Sequence, residues 1–191
     1  RILYNGNNYS EEWIKEAESR GLAHLPTTVD AMHCFISEKN IALFTRWGIY
    51  TEREMRSRYD ISLENYAKLI RIEASTMLSM AQRSILPAVI GYESKIAEAV
   101  SAKDRLGVPN DAEYALLKGL SAGVNALHKR IGGLFDAIAA MPKGNGEAAE
   151  YCRDKLLPAM GSLREAADAL ETITAKEYWP FPGYEDLLFN L

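Results

Sequence analysis

Seven apolar residues set the fold of this chain more firmly than anything else in it. Leu117, Leu120, Val124, Leu127, Ile131, Leu134 and Ile138 follow one another at steps of three and four without a miss. Such a run buries its side chains only as one stripe of an α-helix laid against a partner, since steps averaging 3.5 residues return to the same face. A strand would need alternation, which is absent. The spacing predicts a helix that begins at Asn110, with Asn110 as its cap and Glu113 three residues on.

Partners of the same kind lie on either side. Ala149, Cys152, Leu156, Met160, Leu163, Ala167 and Leu170 form a second seam, predicting a helix over about Gly146 to Ala175. Leu63, Tyr66, Ile70, Met77 and Ala81 form a third, inside a helical pattern running from Thr51 to about Leu106. Thr51-Glu52-Arg53-Glu54 opens that pattern as a capping box. The part from Asp60 to Leu106 would be ~70 Å long at about 1.5 Å per residue.

Proline punctuates the rest. Of the seven, Pro109 and Pro142 fall in the breaks between the long helices, whereas Pro87 and Pro158 fall inside helical pattern. A proline there removes one backbone N–H and crowds the carbonyl four residues back, so a kink or bend is expected at each. Short loops make successive long helices antiparallel neighbours. Before Thr51 the elements are short. Asn5-Gly6-Asn7-Asn8 signals a turn, Ser10 can cap a helix over Glu11–Arg20, and Gly21 can stop it. A second helix follows Thr28, with a break or new cap at Ser37. The fold class is therefore all-α: an elongated antiparallel bundle of three long helices on a base of short ones, with an extended aromatic and proline-rich tail. That tail, Glu177-Tyr178-Trp179-Pro180-Phe181-Pro182-Gly183-Tyr184 and then Leu187-Leu188-Phe189-Asn190-Leu191, should dock on something.

Composition narrows the function classes. The net charge is −4 over 191 residues, which argues against a nucleic-acid footprint. No apolar run approaches the ~20 residues of a membrane span. The first residues lack the apolar stretch and cleavage site of a signal peptide, and the opening Arg1, on what reads as the end of a strand, suggests a piece of a longer protein. Two cysteines, Cys34 and Cys152, are too few for a disulfide framework and fit the reducing cytoplasm.

The residues offer little chemistry. Asp30 and His33 have the i,i+3 spacing of one di-iron half-site, but the sequence holds no Glu-x-x-His. His33 and Cys34 are adjacent and point to different helix faces, and His128 sits in a basic stretch with Lys129 and Arg130. No P-loop, Gly-x-Ser-x-Gly or Cys-x-x-Cys occurs. Glu93, Glu98, Asp104, Glu165, Asp168 and Glu171 fall on outer helix faces, and Met77 and Met80 suit core filling. No catalytic, cofactor-binding or metal-binding residue is nominated.

Three stretches carry a likeness. They are Asn5-Gly6-Asn7-Asn8-Tyr9-Ser10-Glu11-Glu12-Trp13, the segment from Glu38 through Gly48-Ile49-Tyr50-Thr51 to Tyr59, and Glu177 through Phe189. Together they resemble the C-terminal region of type III glutamine synthetase, the large bacterial form. Phe44 to Thr51 is similar to the turn that joins two helices near the end of shorter glutamine synthetases. Pro180-Phe181-Pro182 is similar to their Pro-His-Pro tail, with Phe181 where the family often has His.

The resemblance implies three parts: residues 1–58 ending the catalytic domain, residues 59–176 as a long-helix insertion, and residues 177–191 as a docking tail. It implies a parent that ligates ammonia to glutamate with ATP and Mg or Mn. The parent's active-site motifs lie upstream, so this segment would be non-catalytic, hold no cofactor of its own, and serve subunit or ring assembly. Its partners would be the upstream catalytic domain and neighbouring subunits of a homo-oligomeric ring. The alternative is a helical regulatory or protein-binding module. A stand-alone helical enzyme with a bundle-core metal would need ligands the sequence does not offer.

Overall fold

The computed structural model describes residues 3–189; the strand end expected at the first residues, and the last two residues of the apolar ending, lie outside or at the edge of that range. Among the described residues there are helices and turns and no strand. Close packing divides the chain into two units, Arg1–Tyr66 and Ala67–Leu191.

The first unit holds α1 (Glu11–Ser19), α2 (Thr28–Phe35), α3 (Glu38–Arg46) and the start of α4 (Glu52–Met80). Ser10 caps α1, its hydroxyl accepting from the Trp13 N–H at 3.4 Å. Gly21 ends that helix with φ 70°, a left-handed conformation that only glycine adopts freely, so that the Leu22 N–H reaches the Ala17 carbonyl. Tyr4 stacks on Trp13 at 4.4 Å, and the Arg20 guanidinium lies over both rings. Thr27 caps α2, and the break expected at Ser37 separates α2 from α3. Phe35, Phe44 and Tyr50 form a chain of tilted rings, closed by Arg58 4.7 Å above Tyr50. The capping box of α4 forms as expected: the Glu54 N–H donates to Thr51 Oγ1, and the Thr51 N–H donates to Glu54 Oε2. That N–H and the Thr51 hydroxyl hold the Glu54 carboxyl below its ordinary pKa.

In the second unit, α4 passes through a π turn, Ala81–Ile85, into α5 (Leu86–Leu106). α6 (Asp111–Ala139) returns, and α7 (Asn145–Tyr151), a second π turn (Cys152–Leu156) and α8 (Leu157–Glu171) run out again. The backbone of α6 packs along both α5 and α8. Antiparallel neighbours thus fall as the short loops predict. The seams are largely core: Leu63, Ile70, Ala81, Leu120, Leu127, Leu134, Ala149, Leu156, Leu163 and Leu170 are buried, while Tyr66 and Met77 of the α4 seam are half-buried and Ala67 and Ala74 take core places beside it.

The expected kinks take a particular form. At each internal proline the helix widens for one turn instead of breaking. The Leu86 N–H reaches the Ala81 carbonyl and the Leu157 N–H reaches the Cys152 carbonyl, both five residues back. Pro87 and Pro158 then sit in the first turn of the resumed α-helix, where a missing N–H costs least.

Three other expectations are corrected. Asn110 occupies the N-cap position of α6 but its side chain does not cap: it donates to Val100 O and Asp104 Oδ1 on α5, and Glu113 pairs with Lys103 instead of closing a box. The last long helix ends at Glu171, not near Ala175, because Thr172 and Thr174 turn their hydroxyls back onto the carbonyls of Ala169 and Leu170. The tail is not extended throughout: residues 175–178 form a turn, and Tyr184–Phe189 forms a short helix, α9.

Candidate functional site

The histidines, cysteines and Asp30 weighed for chemistry in the sequence do not assemble. Asp30 Oδ2 accepts from the Thr27 hydroxyl at 2.5 Å at the start of α2, and His33 Nδ1 meets the Tyr59 hydroxyl at 3.2 Å. Both are thereby engaged locally, and no group of three His, Cys, Asp or Glu able to hold a metal occurs among the described residues. His128, Lys129 and Arg130 are exposed. Glu98, Asp104, Glu165, Asp168 and Glu171 are exposed as expected, while Glu93 is half-buried. Cys34 is exposed. Cys152 is fully buried, its sulfur 3.9 Å from the Ala67 carbonyl, and burial pushes its thiol pKa up.

What the structure does assemble is a cleft in the second unit, of about 550 Å³. Its floor is seam: Ala81 and Ile85 from the first π turn, Met160 and Leu163 from α8. Ile72, Met77 and Met80 from α4 make one wall, and Ala167 of α8 contributes to the other. Trp179 and Phe181 of the tail complete the lining. The tail is held against α5 and closed on itself. Tyr178 packs on Tyr92 of α5 with ring centroids 5.1 Å apart, and Lys176 pairs with Asp186 at 2.9 Å. That ammonium, with the Gly183 N–H, holds the Asp186 carboxyl below its ordinary pKa.

The mouth of the cleft is charged. Glu73 of α4 and Asp168 and Glu171 of α8 line it, with Arg164, whose guanidinium lies 3.3 Å from Asp168. Neither Glu73 nor Glu171 makes an ion pair among the described residues. The sequence reading missed this cleft. Ile72 and Met80 lie outside the α4 seam at a spacing of eight, the trace of a second apolar stripe, but nothing in sequence brings that stripe to α8 and the tail.

In the first unit the exposed apolar side chains gather differently. Leu43 and Trp47 on and after α3, and Ile49 behind it, stand open to solvent, Trp47 at 69%. No helix among the described residues is long and apolar enough to cross a membrane.

Comparison with known proteins adds what the geometry cannot. A family model described as the glutamine synthetase C-terminal domain matches residues 1–104. The chain is 36% identical, over 198 aligned residues, to a glutamine synthetase of Butyrivibrio fibrisolvens. It is 34% identical to a type-3 glutamine synthetase of Dictyostelium discoideum and 26% identical to a glutamine synthetase of Bacteroides fragilis. These alignments cover 99–100% of this chain but only 28%, 27% and 27% of the respective relatives.

Proposed function

Because this chain belongs to the glutamine synthetase family, through its C-terminal domain, we propose that it closes the polypeptide of a type III glutamine synthetase and acts in assembly rather than in catalysis. The parent reaction is the ligation of ammonia to glutamate. ATP phosphorylates the γ-carboxylate, and ammonia then displaces phosphate to give glutamine. ATP and a divalent Mg or Mn ion are held by the upstream catalytic part, in the cytoplasm. The segment's own residues supply contact surface to that part and to neighbouring subunits of a ring.

The observation that carries this reading is the family match over residues 1–104. It covers the Phe44–Thr51 turn and runs on into α5. The exposed Leu43, Trp47 and Ile49 support it, since apolar side chains grouped on one turn are the usual mark of a surface covered by other polypeptide. So do Leu187, Leu188 and Phe189 on α9, exposed at the far end of the chain.

The test is sedimentation and ligase activity of the full-length protein with residues 62–175 replaced by a short loop. Loss of subunit number supports the assembly role, and an unchanged oligomer with unchanged activity refutes it. A second reading, a module that receives a regulatory protein, draws support from Leu69, Ile90 and Phe135, exposed on the long helices. An assembly element presented as bait retrieves only its own parent, whereas a regulatory module retrieves a different polypeptide.

A further inference from the structure

We infer that the cleft between α4, α8 and the tail is a binding site for an apolar organic amine. This rests on the cleft itself and not on the assembly role proposed above. Three features converge. The volume, about 550 Å³, falls within the ~300–1,000 Å³ of small-molecule pockets. The lining is apolar and adaptable: Met77, Met80 and Met160 are unbranched thioethers that refit around a guest. The mouth sets the sign of the guest's charge. Three carboxylates, Glu73, Asp168 and Glu171, face one guanidinium, Arg164, which is already engaged by Asp168.

An anion entering would meet Glu73 and Glu171 with only Arg164, already paired with Asp168, to offset them. An ammonium on an apolar body would place its hydrocarbon against Met77, Ile85 and Leu163 and its charge among the carboxylates. Trp179 and Phe181 add to the same preference, because the faces of aromatic rings attract cations. No lysine lines the cleft to compete for the carboxylates.

The experiment is calorimetric titration of the full-length protein with a matched set of probes: 4-phenylbutylamine, 4-phenylbutyrate and neutral 4-phenylbutanol. At low salt the amine should bind more tightly than the carboxylate by about fivefold or more for each uncompensated mouth carboxylate. Ala167→Trp, which fills the cleft, should abolish amine binding. Glu73→Gln with Glu171→Gln should reduce the amine-over-carboxylate preference to within twofold and leave the alcohol unchanged. Both glutamates are exposed, so this second variant keeps its fold even where the tryptophan does not. Equal binding of amine and carboxylate to the wild type, no amine binding at all, or an amine preference that survives the double glutamine variant would overturn the assignment. Because none of these readouts depends on subunit number, failure here is distinct from failure of the assembly role.

Discussion

Four glycines of α6 offer a sharp test of how the bundle packs. A glycine inside a helix costs about 1 kcal/mol relative to alanine, so Gly→Ala stabilises wherever the new methyl group has room. Gly132 and Gly133 have open space around the position a Cβ would take. Gly119 has only Ile173 Cδ1, at an ordinary 3.8 Å. Gly123 differs. A Cβ there would stand 3.0 Å from Leu170 Cγ and nearer still to Leu170 Cδ2. Leu170 is 1% exposed and cannot swing out to solvent. Gly123 is therefore a point of close contact between α6 and α8. Overpacking of this kind costs ~1–3 kcal/mol, which offsets or exceeds the ~1 kcal/mol helix gain. Gly132→Ala should raise the melting temperature of the chain by about 2–4 °C, and Gly123→Ala should leave it unchanged or lower it by up to ~8 °C. Thermal unfolding followed by helical circular dichroism decides the matter. A Gly123→Ala variant that gains as much as Gly132→Ala would show that α6 and α8 do not approach as described.

Three further outcomes are expected. Leu127, fully buried, should not tolerate Leu127→Asp: an unpaired charge in the seam costs several kcal/mol, on the order of 3–5, and the helical signal should melt well below wild type. Of the two thiols, Cys34 should react with an aromatic disulfide reagent in the folded protein at pH 8, while Cys152, buried and with its pKa raised, should react only in denaturant; two fast native thiols would refute the placement of Cys152. Hydrogen bonding to Lys103 holds the Glu113 carboxyl below the usual glutamate range, so its stabilising pairing between α5 and α6 is fully present above that usual range and lost as pH falls through the lower folded value; Glu113→Gln should lose that part of the acid dependence, and an unchanged acid transition would refute it.

Local signals were the legible part of this fold. Ser10, Thr51 with Glu54, Gly21 and the seams of α6 and α8 each rest on residues within a few positions of one another, and each forms as its spacing dictates. The departures have a common cause. Asn110 abandons its capping role because α5, folded back beside it, presents the Val100 carbonyl and Asp104. Those partners lie six and ten residues away and appear only once the α5–α6 turn has formed. The cleft is the same lesson at longer range: Ile72, Met80, Arg164 and Trp179 belong to one site, yet more than a hundred residues separate the first from the last. The three-residue run Thr172-Ile173-Thr174 was readable in principle, since β-branched residues with hydroxyls are poor helix continuers.

The wide turn before Pro87 has a geometric consequence for everything after it. Met77, Ala81, Ile85 and Val89 are spaced by a uniform four, and the last three are buried. In an unbroken α-helix, at about 100° per residue, three such steps rotate a side chain ~120° past its starting bearing. Val89 would then face a third of the circle away from Met77. A π turn absorbs roughly one residue's worth of that rotation, so the stripe stays on its heading. The turn thus works as a phase corrector. Drawing residues 81–85 into an ordinary α turn at unchanged length would leave the sequence downstream intact and still helical, but would swing the whole of α5 off its contact with α6, whereas removing one residue there would let the turn close and keep the heading.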